Sequence, residues 1–420
     1  MPHDMTMPEA TAFVAERVAP AVVGVPAAAP RLEARKAALT VERAGAARLA
    51  EIEADWRDLV GRAPEPNVFM HPALMGAAER HCRGLRFVTL LAWRQGAGAP
   101  TLVGLWSFSL GAPEQSILPV TVLRAPAAPH GYLATPVLDP GAAEDAIDAM
   151  LDFVARDAGL PKTIALDPIA ADGEAMAALA RVLARRGGEA FVMAQSERPM
   201  LQSDLDAKQY FEKAMSGSSR RKLRQHRRRL EEKGALTVRR CETPESVAPA
   251  FDEFLALEAA GWKGRRGSAI VCSDSEAGFA KEMVVALARR GDAAIYALDL
   301  DGKPISIQVV LRAGAVAYTW KTAYDEAFRD YSPGVLLLED YTKAFLDDDT
   351  VARVDSCAYD TSSFMAAWWS ERQAIARVWF DARRGGSLNF FVLARLQKAL
   401  VRLRAVAKSA YLAGRRLCRI

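Results

Sequence analysis

The sequence predicts an α/β protein of two successive units, each with a mixed, mostly antiparallel sheet, followed by a basic C-terminal helix. Three observations carry this. The chain has 420 residues, too many for one ordinary core. Each half shows the same order of helices, three meandering strands, a loop, then helix, strand, helix and strand. The last stretch, 387–419, repeats apolar residues at helical spacing among arginines and lysines, with no acid after Asp381.

Residues 1–30 are rich in Ala, Val and Pro and read as a disordered tail. The apolar run 18–30 is broken by Pro20, Pro26 and Pro30 and has no basic lead, against a signal peptide. The first unit is expected over 31–200. Residues 31–59 read as helix, with Leu49, Ile52, Trp56 and Leu59 in phase. A loop over 64–72 precedes a helix near 73–83. Strands are expected at 86–93, 101–110 and 117–123, then a proline-rich loop over 125–140. A helix at 142–158, a strand at 163–167, a helix at 173–186 and a strand at 189–194 complete the unit.

The second unit is expected over 201–386, with 202–233 linking the two and adding helices. Helices follow at 244–260 and 276–289, and a strand at 293–300. Asp301-Gly302 is a strong hairpin signal. Over 304–311, Ile305, Ile307, Val309 and Leu311 share one face of a strand. After the segment 315–345, a strand at 351–356, a helix at 364–374 and a strand at 377–382 are expected.

The segment 315–345, AVAYTWKTAYDEAFRDYSPGVLLLEDYTKAF, organises the rest. Val316, Tyr318 and Trp320 alternate with Ala317, Thr319 and Lys321, as in a strand. Polar residues 322–330 break the pattern. Ser332 is a candidate N-cap, Pro333 suits the first helical position and Gly334 admits a close backbone approach. Val335, Leu338, Tyr341, Thr342 and Phe345 then repeat at helical spacing. A helix start with unpaired N–H groups and aligned peptide dipoles favours an anion such as phosphate. The plainer reading is a capped helix after a strand, without a ligand.

The motif WKTAYDEAFRDYSPG, 320–334, resembles the core motif of the CelD-like branch of the GNAT acyltransferase superfamily, which is related to Fem-type transferases. DSCAYD at 355–360, WSER at 369–372, GWKGRRGSAI at 261–270 and SSRRKLRQHRRRLEEKG at 218–234 resemble that branch too. The resemblance runs from about Trp56 to about Asp381 and is clearest in the second half. It implies a tandem pair of GNAT-like domains and a donor that is acetyl-CoA or another acyl-CoA. It places the donor's pyrophosphate on the backbone at Tyr331, Ser332, Pro333, Gly334 and Val335, and the thioester carbonyl on an edge amide near Tyr318 and Trp320. The superfamily pattern begins with Gln or Arg and ends with Gly or Ala; here Tyr331 and Leu336 stand in those places. Fem-type relatives share that departure and use aminoacyl-tRNA, so both donors stay open. The matching place in the first half, 125–132, has Gly131 but no helix start behind it. The first unit is therefore expected to have lost donor binding and to shape the acceptor cleft.

Acyl transfer needs a base for the acceptor, a donor to the oxyanion and an acid for the thiolate. Tyr324 and Tyr331 are candidate acids, and Asp325 and Asp355 candidate bases. Lys321 is placed to pair with a phosphate or with Asp355. Each also has a plainer role, in packing or in capping a loop. His130, beside Gly131, is a candidate for the acceptor cleft. Residues 261–267, GWKGRRG, read equally as a cationic lid and as a solvated loop.

The dense basic block 220–229 has three readings: a solvated helix, a contact to donor phosphates, or nucleic-acid binding. No aromatic residues interleave with it, so base stacking is not supported. The five cysteines are scattered without a CxxC pair, which fits a reducing compartment and offers no metal site. The acid-free helix 387–420 suits an anionic membrane surface and equally suits docking on the core. These readings converge on a cytoplasmic acyltransferase acting on an amine or hydroxyl of a small molecule or saccharide precursor. By resemblance alone it is linked to cellulose or other exopolysaccharide production, and the basic helix adds the inner membrane face as one location. A Fem-type transferase and a non-catalytic scaffold at a membrane are the alternatives.

Overall fold

The computed structural model describes residues 39–96, 98–113, 116 and 119–417, with side-chain surroundings as far as Arg404. The expected tail over 1–30 lies outside the described residues. From the first half come β1 (Leu39–Ala44), β2 (Arg86–Arg94), β3 (Thr101–Gly111), β4 (Val122–Ala125), β5 (Val137–Leu138), β6 (Thr163–Ala170) and β7 (Phe191–Leu201). From the second come β8 (Leu236–Cys241), β9 (Ala293–Leu300), β10 (Lys303–Ala313), β11 (Val316–Tyr324), β12 (Arg353–Asp355) and β13 (Glu371–Asp381).

All thirteen strands join one sheet, in the order β1-β2-β3-β4-β6-β13-β7-β12-β11-β10-β9-β8, with β5 on β3. The order is symmetric about its centre. β1, β2, β3, β4 and β6 match β8, β9, β10, β11 and β12, and each half lends its last strand to the other. β13 pairs antiparallel with β6, as at Trp379↔Ala165, and with β7, as at Ile375↔Ser196. The exchange fuses two sheets into one.

The helices are α1 (Ala46–Glu51), α2 (Glu53–Arg62), α3 (Pro72–His81), α4 (Ala143–Arg156), α5 (Glu174–Arg185), α6 (Ala207–Ala214), α7 (Gly217–Glu231), α8 (Pro244–Ala260), α9 (Trp262–Arg265), α10 (Asp274–Ala288), α11 (Pro333–Leu346) and α12 (Leu388–Leu417). One hydrophobic cluster spans both halves, from Leu49 and Trp106 to Phe251, Met283 and Trp320. A second seats α11, through Leu337, Tyr341 and Phe345, against Tyr296, Leu298 and Ala317 of the sheet. A third lies under the start of α12.

Two expectations are corrected. The helix expected over 31–59 contains a strand, β1, paired along its length with β2 from Leu39↔Arg94 to Ala44↔Thr89. The helix expected over 364–374 is a short 3-10 turn, Phe364–Ala367, capped by Ser363 and followed by β13. There β13 bonds to β7, and the buried Trp369 indole donates to Thr342 Oγ1 at 3.0 Å. The hairpin at Asp301-Gly302 is present, both residues having positive φ (50° and 74°), as its turn type requires.

Candidate functional site

β11 and β12 run parallel for three pairs only, Val316↔Arg353, Ala317↔Val354 and Tyr318↔Asp355. β12 ends at Asp355, whereas β11 continues to Tyr324. The strands therefore part after Tyr318, where the Thr319 hydroxyl donates to the Asp355 carbonyl at 3.2 Å. On its other edge β11 carries a bulge. Leu311 faces Tyr318 and Val309 faces Lys321, so two steps on β10 oppose three on β11. A bulge re-aims the residues beside it, here Thr319 to Lys321.

Beyond β11, Asp325 Oδ1 accepts the Ala327 N–H at 2.9 Å and starts the 3-10 turn Glu326–Tyr331. α11 follows with Pro333 in its first turn, as the sequence predicts. Ser332 does not cap with its hydroxyl, a correction. It sits at φ 51°, ψ 54° with no side-chain cap bond, and its carbonyl accepts from Val335 and Leu336. Pro333 has no N–H, so Gly334 keeps the first-turn N–H without a protein acceptor among the described residues. A Cβ added at Gly334 would meet only Ser306 Oγ, at 3.9 Å. The mouth of α11 is thus not plugged at that position.

The basic block forms α7, docked beside this mouth. Leu223, His226 and Leu230 face inward, while Arg221, Lys222, Arg224, Arg228 and Arg229 are exposed. Arg227 bonds Asp340 at 2.9 Å and the Leu336 carbonyl at 3.4 Å. His226 is hydrogen-bonded to the Tyr331 backbone, and Lys233 Nζ lies 5.5 Å from the Tyr331 ring centroid.

Where β11 parts from β12, a polar cluster joins the two halves. Lys321 Nζ lies 3.1 Å from His130 Nδ1, and His130 Nε2 lies 2.9 Å from Glu276 Oε2. Tyr132 faces Lys321 Nζ at 5.5 Å from its ring centroid. Lys263 of α9 donates to Glu258 at 2.8 Å and to the Thr322 carbonyl at 3.2 Å. Burial, then the nearby Lys263 charge, push Lys321 down to about 8. Burial, then the charges of Lys321 and Lys263, push His130 down to about 3. A neutral His130 accepts from Lys321 at Nδ1 and donates from Nε2 to Glu276, a tautomer assigned from this network.

The expected Lys321–Asp355 pair is not formed. Asp355 is buried against Arg198 and accepts the Cys357 N–H at 2.8 Å, while Arg198 also donates to the Tyr132 carbonyl. The side chains of Tyr318 and Trp320 tie the halves together. The Tyr318 hydroxyl donates to the Pro66 carbonyl at 2.6 Å, and the Trp320 indole to the His130 carbonyl at 2.9 Å. Only their backbone remains for a ligand. Tyr324 is half-buried, and its phenol is pushed up by burial. Glu326 fastens α9 beside the turn, accepting the Trp262 N–H at 2.7 Å and Arg265 at 2.5 Å. Residues 261–267 are therefore an anchored element, with Arg266 5.1 Å from the ring centroid of the exposed Trp262.

The matching place in the first half lacks these features. β4 pairs parallel with β6 through Ala125↔Leu166 and ends there, and the next helix, α4, starts only at Ala143. A Cβ at Gly131 would come 2.6 Å from Pro126, so this glycine serves close packing. Glu276, Glu258, Tyr132 and Arg198 are members of the site that sequence reasoning missed. Their partners are far along the chain: 146 positions separate His130 from Glu276 and 157 separate Arg198 from Asp355.

Residues 217–362 match the family model described as an acetyltransferase (GNAT) domain. That segment holds α7, the parting of β11 from β12 and the mouth of α11, so the similarity to a GNAT-type acetyltransferase domain falls on the second half of this α/β fold. Among solved structures the chain is similar to FemX, at 13% identity and TM-score 0.55, over 82% of this chain and 98% of that one. It is also similar to a tandem GNAT protein from the clavulanic acid biosynthesis pathway (14%, TM-score 0.43, 82% of this chain and 99% of that one). A third is a C-terminal (DUF2156) domain described as belonging to a lysylphosphatidylglycerol synthetase from Agrobacterium fabrum (14%, TM-score 0.49, 84% and 97%). At 13% identity the likeness to FemX speaks to fold alone. No curated protein matches the sequence.

Proposed function

We propose that the protein transfers an acyl group from acyl-CoA to an amine or hydroxyl of a small molecule or saccharide precursor, with the donor in the second half. The observation that carries this is the joint presence of a bulged strand leaving its neighbour after Tyr318 and an open helix mouth at Gly334. The Gly334 N–H and the dipole of α11 receive the donor's pyrophosphate, with the cations of α7 alongside. The thioester lies in the opening between β11 and β12, its carbonyl on a β11 amide near the bulge.

In its neutral form Lys321 donates one N–H to His130 and keeps its lone pair for the proton of the incoming acceptor. Glu276 holds His130 in the accepting tautomer. The acceptor nitrogen or oxygen attacks the thioester carbon, and the tetrahedral oxyanion collapses to expel the thiolate. Tyr324 supplies the thiolate's proton. Asp325 and Asp355, occupied by the Ala327 N–H and by Arg198, hold the loop and the interface rather than act as bases. The saccharide acceptor and a link to exopolysaccharide production rest on the CelD-like resemblance.

A second reading keeps the fold and uses aminoacyl-tRNA. Its support is the exposed basic face of α7 beside the mouth, together with Leu336 where a small residue is usual. The two are separated by presenting acetyl-CoA and charged tRNA to the same protein. Acyl-CoA turnover without tRNA supports the first. Transfer that requires tRNA, steeply weakened by salt, supports the second.

A further inference from the structure

Helix α12 rests on the protein by one face only. Phe390 and Ala394 are buried with Val122, Met193 and Trp379, and the Phe390 ring meets Phe191 edge-on at 5.5 Å. Gln397 is buried one turn on, where the Ser116 hydroxyl donates to its Oε1 at 3.0 Å. On the opposite face, Leu388 (79%), Val392 (51%), Leu396 (52%) and Leu403 (64%) are exposed. Steps of four, four and seven residues keep these on one stripe of a helix, and exposed Ala399 falls on it too. Arg395 and Arg402, also exposed, stand seven residues apart along one edge of the stripe. A helix that merely faced water would carry polar residues here.

We propose that this stripe docks α12 on an anionic phospholipid surface. The apolar side chains enter the boundary between headgroups and acyl chains, and Arg395 and Arg402 engage the headgroup phosphates. The chain from 382 to 420 contains no acidic residue to oppose such a surface. A second copy of this chain is the poorer occupant, because a like stripe would set arginine against arginine. No helix among the described residues is long and apolar enough to cross a membrane, so α12 lies in the plane. At 30 residues it presents about 45 Å of length. This inference is independent of the donor site and would hold for a protein with no turnover.

The test is flotation of the full chain with vesicles of about one-quarter phosphatidylglycerol in phosphatidylcholine, and with pure phosphatidylcholine. The expected result is binding to the anionic vesicles that is roughly tenfold weaker on the neutral ones and falls with salt. Leu396→Glu with Leu403→Glu should lower partition by at least roughly tenfold. Arg395→Glu with Arg402→Glu should remove the preference for anionic lipid. All four side chains are exposed, so circular dichroism should report unchanged folding. Equal partition by the wild type and the double-leucine variant overturns the proposal, as does no binding at all. A dimer in light scattering that the leucine substitutions dissolve assigns the stripe to a second copy, and overturns it too.

Discussion

Lys321 Nζ, at the bulged end of β11, lies 3.1 Å from Nδ1 of His130, which belongs to the loop after β4 in the other half of the chain. The half that lacks an open helix mouth thus contributes to the polar cluster of the half that has one. An amine pushed down to about 8 inside this cluster is close to half neutral at mildly alkaline pH. In the proposed mechanism the neutral form is active. kcat/KM for acetyl transfer should therefore rise with pH and level off above about 8. Lys321→Arg, charged at every accessible pH, should lower kcat by about 100-fold or more with little change in KM for the donor. A rate that falls as pH rises through 8 would assign the active form to the cation.

The same shift has a stability consequence. Free in the unfolded chain, the amine titrates near 10.5; folded, near 8. Between these values the unfolded state binds more protons, so this group's contribution to stability rises with pH there; below about 8 the folded state bears the full penalty of a charged, buried amine. Lys321→Met should remove that slope and stabilise the fold at pH 7 by on the order of 3 kcal/mol. Chemical denaturation at pH 7 and pH 10 measures this, and a variant less stable than wild type at pH 7 would contradict it.

His130 is a positioning residue in this account. His130→Phe should reduce kcat by about tenfold and shift the pH profile towards lower pH, because the ammonium form of Lys321 loses the acceptor that stabilises it. Glu276→Gln should give a smaller shift in the same direction. A profile unmoved in both variants would show that the cluster only packs the interface.

Asp355 is buried against Arg198, so removing one partner strands the other. Asp355→Asn should cost about 3–5 kcal/mol in thermal or chemical unfolding. Replacing both, as Arg198→Met with Asp355→Leu, should recover most of it. A variant that keeps full stability but loses turnover would restore Asp355 as a base.

The parts of this architecture that were legible in the sequence are those with local causes. The alternation over 316–321, the proline and glycine at 333 and 334, and the Asp301-Gly302 hairpin each reflect a backbone preference that acts within a few residues. The edge strands were missed because both are short and one-sided. Yet β1 and β8, at equivalent ends of the sheet, read LTVERA and LTVRRC, a local likeness that could have exposed both. The exchange of β7 and β13 was not legible, since pairing between residues as far apart as Ser196 and Ile375 leaves no periodic trace in either segment. The Arg198–Asp355 and His130–Glu276 contacts were hidden for the same reason. Ser332 misled because its residue type fits a side-chain cap, while its left-handed backbone makes the carbonyl do that work.

The central claim is that the amide at the start of α11 holds the phosphates of an acyl carrier. The most direct measurement is calorimetric titration of the wild type and Gly334→Asp with acetyl-CoA. The substituted side chain has room, with Ser306 Oγ 3.9 Å from its Cβ position, and a carboxylate is favourable at a helix start, so the variant should fold. Saturable binding to the wild type, weakened at least roughly tenfold in the folded variant, is the predicted result. No heat from the wild type at millimolar ligand, or equal affinity in the two proteins, would contradict it.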